Sequence, residues 1–104
     1  MTKPRTKSPS EAAIQHRILK YLNDQPRCWA AKFPGVLRRG VPDIIGVYRG
    51  AFFALEVKRP GQKPTALQRA VIRQIRDANG FATVVTSVSD ARVVLATIEE
   101  AVDA

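Results

Sequence analysis

Within this 104-residue chain, the residues best placed to do chemistry are three acids and a lysine. Gly40-Val41-Pro42-Asp43 is followed, thirteen residues after Asp43, by Glu56-Val57-Lys58. Strand side chains alternate between two faces, so Glu56 and Lys58 share one face and Leu55 and Val57 the other. Burying an acid and a base in an apolar strand is costly unless they are paired or bind a metal. If the two runs form an antiparallel hairpin, Asp43 and Glu56 lie near one end of the same sheet, within reach of one ion. Hard cations such as magnesium or manganese take oxygen ligands, often one or two carboxylates with water and phosphate. A lysine beside such an ion can steady a phosphate oxygen or orient a water. These are the parts for metal-assisted phosphodiester hydrolysis, in which the ion polarises the phosphate and lowers the pKa of the attacking water.

Glu11 is the third acid. At 100° per residue it lies on the same side of its helix as Ile14, Ile18 and Leu22, the side that faces the sheet. Three of six interior acids can therefore converge. Each feature also has a plain structural alternative. Glu11 can be a capping-box residue, Glu56 and Lys58 a surface ion pair, and Pro42-Asp43 a simple turn. Other chemistries lack parts. His16 is the only histidine and Cys28 the only cysteine, so a nucleophile triad and a cysteine-built zinc site are excluded.

The elements that must position these residues can be read along the chain. Residues 1–8 read as a flexible basic arm, followed by a single domain over 9–104. Ser8-Pro9-Ser10-Glu11 predicts a helix start with Ser8 as N-cap, and the helix runs to about Leu22. Strands are expected at Trp29–Phe33, Asp43–Tyr48 and Ala51–Lys58, the last two joined tightly through Arg49-Gly50. Thr65-Ala66-Leu67-Gln68 opens a second helix by a capping box, and Asn79-Gly80 ends it. A fourth strand follows over Phe81–Ser87, then a helix capped by Ser89-Asp90 and running to about Ile98. The expected fold is α/β, in the order α-β-β-β-α-β-α, with a mixed sheet flanked by helices. Trp29, Phe33, Tyr48, Phe52 and Phe53 read as core, with room for one of them to be exposed.

Composition fits this reading. Hydrophobic residues are 45% and charged residues 25%, as in an ordinary globular domain. Lys and Arg number 17 against 9 Asp and Glu, a net charge of +8. The basic first nine residues and the acidic last six cancel, so the excess belongs to the middle. A domain this basic attracts a polyanion, most simply nucleic acid. Arg38, Arg39, Arg59 and Lys63 fall in loops flanking the proposed site and are the expected phosphate contacts. Arg69, Arg73 and Arg76 make a second basic stripe that reads as a solvated helix face. No apolar run approaches a membrane span, and no secretory signal is read at the N-terminus. The lone cysteine fits a reducing cytosol.

With these residues in place, the sequence resembles the PD-(D/E)xK nuclease superfamily. Pro42-Asp43 stands for the PD and Glu56-Val57-Lys58 for the ExK. More narrowly it is similar to the VRR-NUC family, the virus-type replication-repair nucleases. Gly40-Val41-Pro42-Asp43, the strand Ala54-Leu55-Glu56-Val57-Lys58, the helix opening near Gln68, Gly80 and the strand ending at Ser87 match in order. The likeness spans about residues 9 to 98. It implies a restriction-endonuclease-like core that cleaves DNA with Mg2+ or Mn2+. By position, Asp43, Glu56 and the backbone carbonyl of Val57 would bind metal. Glu11 would bind it directly or through water, Lys58 would assist the attacking water, and Gln68 would lie near the site. Small stand-alone members are often phage-encoded and resemble Holliday-junction resolvases in working as homodimers. The resemblance thus implies a DNA-repair type of endonuclease on branched DNA, in the cytosol of a bacterial or phage-infected cell. Two rivals stand beside it: a non-catalytic DNA-binding module of the same fold, and a nickase on ordinary duplex or single-stranded DNA.

Overall fold

The computed structural model describes residues 9–103, so the basic arm read at 1–8 lies outside the described residues. Helix α1 spans Glu11–Asn23 and buries Ile14, Ile18 and Leu22, the stripe expected from their spacing. Its N-cap is Ser10, not Ser8: the Ser10 hydroxyl accepts from the Ala13 N–H at 3.1 Å. Glu11 is therefore the first helical residue, two places short of the capping-box position.

Three antiparallel strands follow: β1 Cys28–Lys32, β2 Ile44–Tyr48 and β3 Ala51–Val57. The β2–β3 turn has left-handed backbone at both Arg49 (φ 51°) and Gly50 (φ 85°). That pair of dihedrals suits the right-handed twist of a hairpin. Helix α2, Ala66–Asp77, crosses over so that β4, Phe81–Val85, pairs parallel to β3. The predicted capping box is formed: Gln68 N–H donates to Thr65 Oγ1, and Thr65 N–H donates to Gln68 Oε1. Asn79 takes the left-handed turn (φ 67°) that ends this segment. Helix α3 spans Val88–Val102. Its N-cap is Ser87 rather than the Ser89-Asp90 pair. Ser87 accepts the Asp90 N–H at 3.1 Å, while the Asp90 carboxylate accepts from the Thr86 N–H and hydroxyl at 2.8 and 2.9 Å. The predicted α-β-β-β-α-β-α order holds, with sheet order β1-β2-β3-β4.

Two cores hold the layers. On one face, Ile18 and Leu22 of α1 and Leu95 and Ile98 of α3 pack with Phe53, Leu55 and Val57. On the other, Ala54 and Ala82 pack with Ile72 of α2. The last-turn acids of α3 tie it to the hairpin. Tyr48 Oη donates to Glu99 at 2.6 Å, and Arg49 pairs with Asp103 at 3.1 Å. Both sheet edges are plugged by side chains. The Asn23 amide donates to the Ala30 carbonyl at 3.0 Å and accepts the Ala30 N–H at 2.9 Å, occupying the outer edge of β1. Arg76 Nε donates to the Ala82 carbonyl at 2.8 Å on β4. Such plugs blunt edge-to-edge pairing.

The aromatics divide. Phe53 and Tyr48 are core as expected, but Trp29 is 62% exposed and Phe52 42%. Helix α2 covers only the β3–β4 half of its face, so the β1–β2 half stays open. There Trp29 pairs across to Val47, and Val47 to Phe52, in one apolar row. Among the described residues, no helix is long and apolar enough to cross a membrane.

Candidate active site

Asp43 sits at the bend that leads into β2, and its carbonyl accepts the Phe33 N–H at 2.7 Å. That bond ties it to the end of β1. Its carboxylate Oδ2 accepts the Val57 N–H at 2.9 Å across the hairpin. The register pairs Ile44 with Leu55, which puts Asp43 beside Glu56. The loop before Asp43 is seated on α2. Gly40 has φ +85°, and a Cβ there would lie 2.7 Å from the Leu67 side chain, so glycine is required twice over.

Glu56 is the one buried charged residue of the described chain, at 2% exposure. Lys58 Nζ lies 3.6 Å from its Oε2, on the shared strand face that alternation predicts. Its other oxygen, Oε1, is buried with no hydrogen-bond partner. Burial raises the Glu56 pKa to about 7, the adjacent Asp43 charge adds to the rise, and Lys58 opposes it. A buried carboxyl whose pKa is raised this far, with one oxygen unpartnered, marks a candidate functional group.

Glu11 enters from a different direction than the sequence implied. Helix α1 packs on the Leu55–Val57 face, whereas Glu56 alternates onto the α2 face. Glu11 and Glu56 therefore approach Asp43 from opposite faces of the sheet, and the expected convergence of all three acids is not found. Glu11 and Asp43 line one cleft of about 210 Å³, with Val57 beside them. Glu11 is exposed there. Among the described residues, no three His, Cys, Asp or Glu side chains gather tightly enough to enclose a metal. The close pair is Asp43 with Glu56, and Glu11 stands at the cleft's outer rim.

Sequence reasoning missed two polar lining residues, Gln15 and Lys32. Gln15 is one helical turn beyond Glu11, and Lys32 ends β1 opposite Ile44, next to Asp43. The i, i+4 spacing was a usable signal for Gln15. Lys32 becomes visible only with the β1–β2 register.

Gln68 lies at the start of α2, but its carbonyl oxygen is committed to the capping box. Arg38, Arg39, Arg59 and Lys63 are all exposed in the loops before β2 and after β3. Cys28 is half-buried, and its thiol pKa is pushed up by that burial.

The fold has known counterparts. One solved structure, described as a "VRR_NUC domain", is 24% identical, with a TM-score of 0.63 over 77% of this chain and 91% of its own. Another, a "VRR_NUC domain protein", is 20% identical, with a TM-score of 0.69 over 89% of this chain and 88% of its own. No family model matches the chain. No curated protein matches it either. The architecture that the resemblance implied is thus the one found, a VRR_NUC-type fold spanning most of the chain.

Proposed function

We propose that this chain is a VRR-NUC nuclease: an endonuclease that hydrolyses DNA phosphodiesters with Mg2+ or Mn2+, acting on branched DNA as a homodimer. The observation that carries the reading is Glu56, buried beside Asp43 with one oxygen unpartnered and Lys58 alongside. The fold it sits in is that of VRR_NUC domains.

The donor set fits a hard divalent cation. Such ions are commonly held by one or two carboxylates, with water and phosphate completing the shell. Asp43, Glu56 and the Val57 carbonyl would hold it, with Glu11 reaching it directly or through water. When bound, the ion polarises the phosphate and lowers the pKa of the attacking water.

The remaining work belongs to this chain's own groups. The Val57 N–H orients the Asp43 carboxylate. Glu56 would hold the ion as the carboxylate, its proton passing to solvent. Lys58 donates to a phosphate oxygen or orients the attacking water. Gln68 keeps the start of α2 in place close to the site. Arg38, Arg39, Arg59 and Lys63 take phosphates on either side, which positions the duplex without reading its sequence. A plain DNA-binding module has no use for a buried acid beside a second one, since both repel phosphate.

The homodimer has a surface to use in the row Trp29, Val47 and Phe52, an exposed apolar strip of the kind that marks protein contacts.

The test is cleavage of labelled four-way junction, flap, nicked and linear DNA in manganese, with Glu56→Ala as control. Preferential cutting of branched DNA by the wild type alone supports the reading. Cutting of linear DNA alone favours the nickase, and binding without any cutting favours the non-catalytic module.

A further inference from the structure

A second basic feature of the chain lies away from the carboxylates. Arg69, Arg73 and Arg76 line a cleft of about 280 Å³ between α2 and β4, floored by Ile72, Thr83 and Val84. Two of the guanidinium groups are held in place by backbone carbonyls. Arg69 Nη1 donates to Pro64 at 2.8 Å and Arg76 Nε to Ala82 at 2.8 Å. The ion pairs among the described residues are Lys20–Asp24, Arg49–Asp103 and Lys58–Glu56, so none of the three arginines has a carboxylate partner there. A solvated helix face has no need to hold its guanidinium groups this way.

The cleft is also part of a path. It shares Arg76 and Thr83 with an adjoining cleft of about 340 Å³ that continues along β4 to Val93 and Thr97 of α3. Its other end is Pro64, next to Lys63 in the loop after β3. The groove therefore runs from the loop after β3 along the β4 side of the sheet, between α2 and β4. At 1.5 Å rise per residue, Arg69 to Arg76 spans about 10 Å of helix. One DNA strand advances about 3.4 Å of axis per phosphate, so a duplex lying along the stripe brings more than one of its phosphates within reach of the three side chains.

We propose that this α2–β4 groove is a second DNA-backbone surface, which holds the phosphates of an arm leaving the cleavage site. The proposal rests on the nuclease reading and adds the route of the DNA. An acidic protein segment would also be drawn to arginines. A row of three arginines without carboxylate partners among the described residues, two of them anchored to backbone carbonyls, beginning beside Lys63, favours the nucleic-acid backbone.

The experiment is a salt titration of DNA binding by the full chain, with a length series of duplexes and with Arg73→Ala, Arg73→Lys and the double variant Arg69→Ala/Arg73→Ala. Arg73 holds no other element of the fold by a hydrogen bond, and a thermal melt of each variant checks its folding. For long duplexes, the slope of log affinity against log salt is expected to fall by about 0.9 for each phosphate that a variant no longer neutralises. Arg73→Lys keeps the wild-type slope, and short duplexes that end before the groove bind all variants alike. An unchanged slope in the double variant, with wild type binding normally, overturns the groove and leaves the nuclease reading standing. Wild-type protein that binds no DNA at any salt removes both.

Discussion

Asp43 Oδ2 accepts a hydrogen bond from the Val57 backbone N–H at 2.9 Å, so the first acid of the site is clamped to the strand that carries the second. The bond joins residues fourteen apart in sequence and fixes where the Asp43 charge sits relative to Glu56. It also separates two roles of one carboxylate, as acceptor for Val57 and as anion.

That separation is testable. Asp43→Asn keeps an acceptor for Val57 and removes the charge. It should fold with near wild-type stability, lose cleavage by about a hundredfold or more, and bind DNA as well or better. Asp43→Ala also strands the Val57 N–H, at a cost of about 1–3 kcal/mol in chemical denaturation. Equal stability of the two variants would show that the clamp contributes nothing.

Glu56 makes metal-free stability depend on pH. Its pKa rises from 4.5 in the unfolded chain to about 7 in the fold, so the folded protein holds a proton that the unfolded chain has lost. The stabilising effect is complete below about pH 4.5 and fades as pH climbs through 7. Glu56→Gln removes this titration. The melting temperature of the wild type, relative to Glu56→Gln, should fall between about pH 5 and 8. A pH-independent difference would contradict the buried neutral carboxyl. Metal binding should release protons and tighten over the same range.

Lys58→Ala acts on both counts. It removes the group that steadies phosphate or water, so turnover should slow by about 10²–10⁴ with metal still bound. It also removes the positive charge that lowers the Glu56 pKa, so the Glu56 titration should move upward. Wild-type turnover in this variant would exclude Lys58 from the reaction.

Much of this was legible in the chain itself, for identifiable reasons. The alternation around Glu56 placed it and Lys58 together, and the tight Arg49-Gly50 link placed Asp43 alongside. The Ile14, Ile18 and Leu22 stripe oriented α1. What could not be read depended on long-range packing. Trp29 and Phe52 look like core, yet they are exposed because α2 covers only half its face. Lys32 enters the cleft only through the β1–β2 register. Glu11 has the right spacing but arrives on the other side of the sheet from Glu56. The cap positions at Ser10 and Ser87 were each two residues from the predicted serines, where neighbouring hydroxyls compete on nearly equal terms.

The apolar row and the plugged edge predict opposite responses in solution mass. Trp29→Asp places a charge in the strip across from Val47 and should convert a dimer to monomers with little change in stability. Asn23→Ala unmasks both backbone groups of Ala30 on β1, should cost about 1–3 kcal/mol and should promote larger aggregates. Light scattering that finds wild type and Trp29→Asp at the same mass would rule out this strip as the dimer contact.

The most direct measurement follows strand scission of a labelled four-way junction by wild type and Glu56→Gln, each with manganese and with a chelator. Scission is expected in one of the four reactions, wild type with manganese, while both proteins retain the junction in a gel shift. Equal cutting by Glu56→Gln, or undiminished cutting in chelator, would contradict the idea that paired acids and a divalent ion do the work.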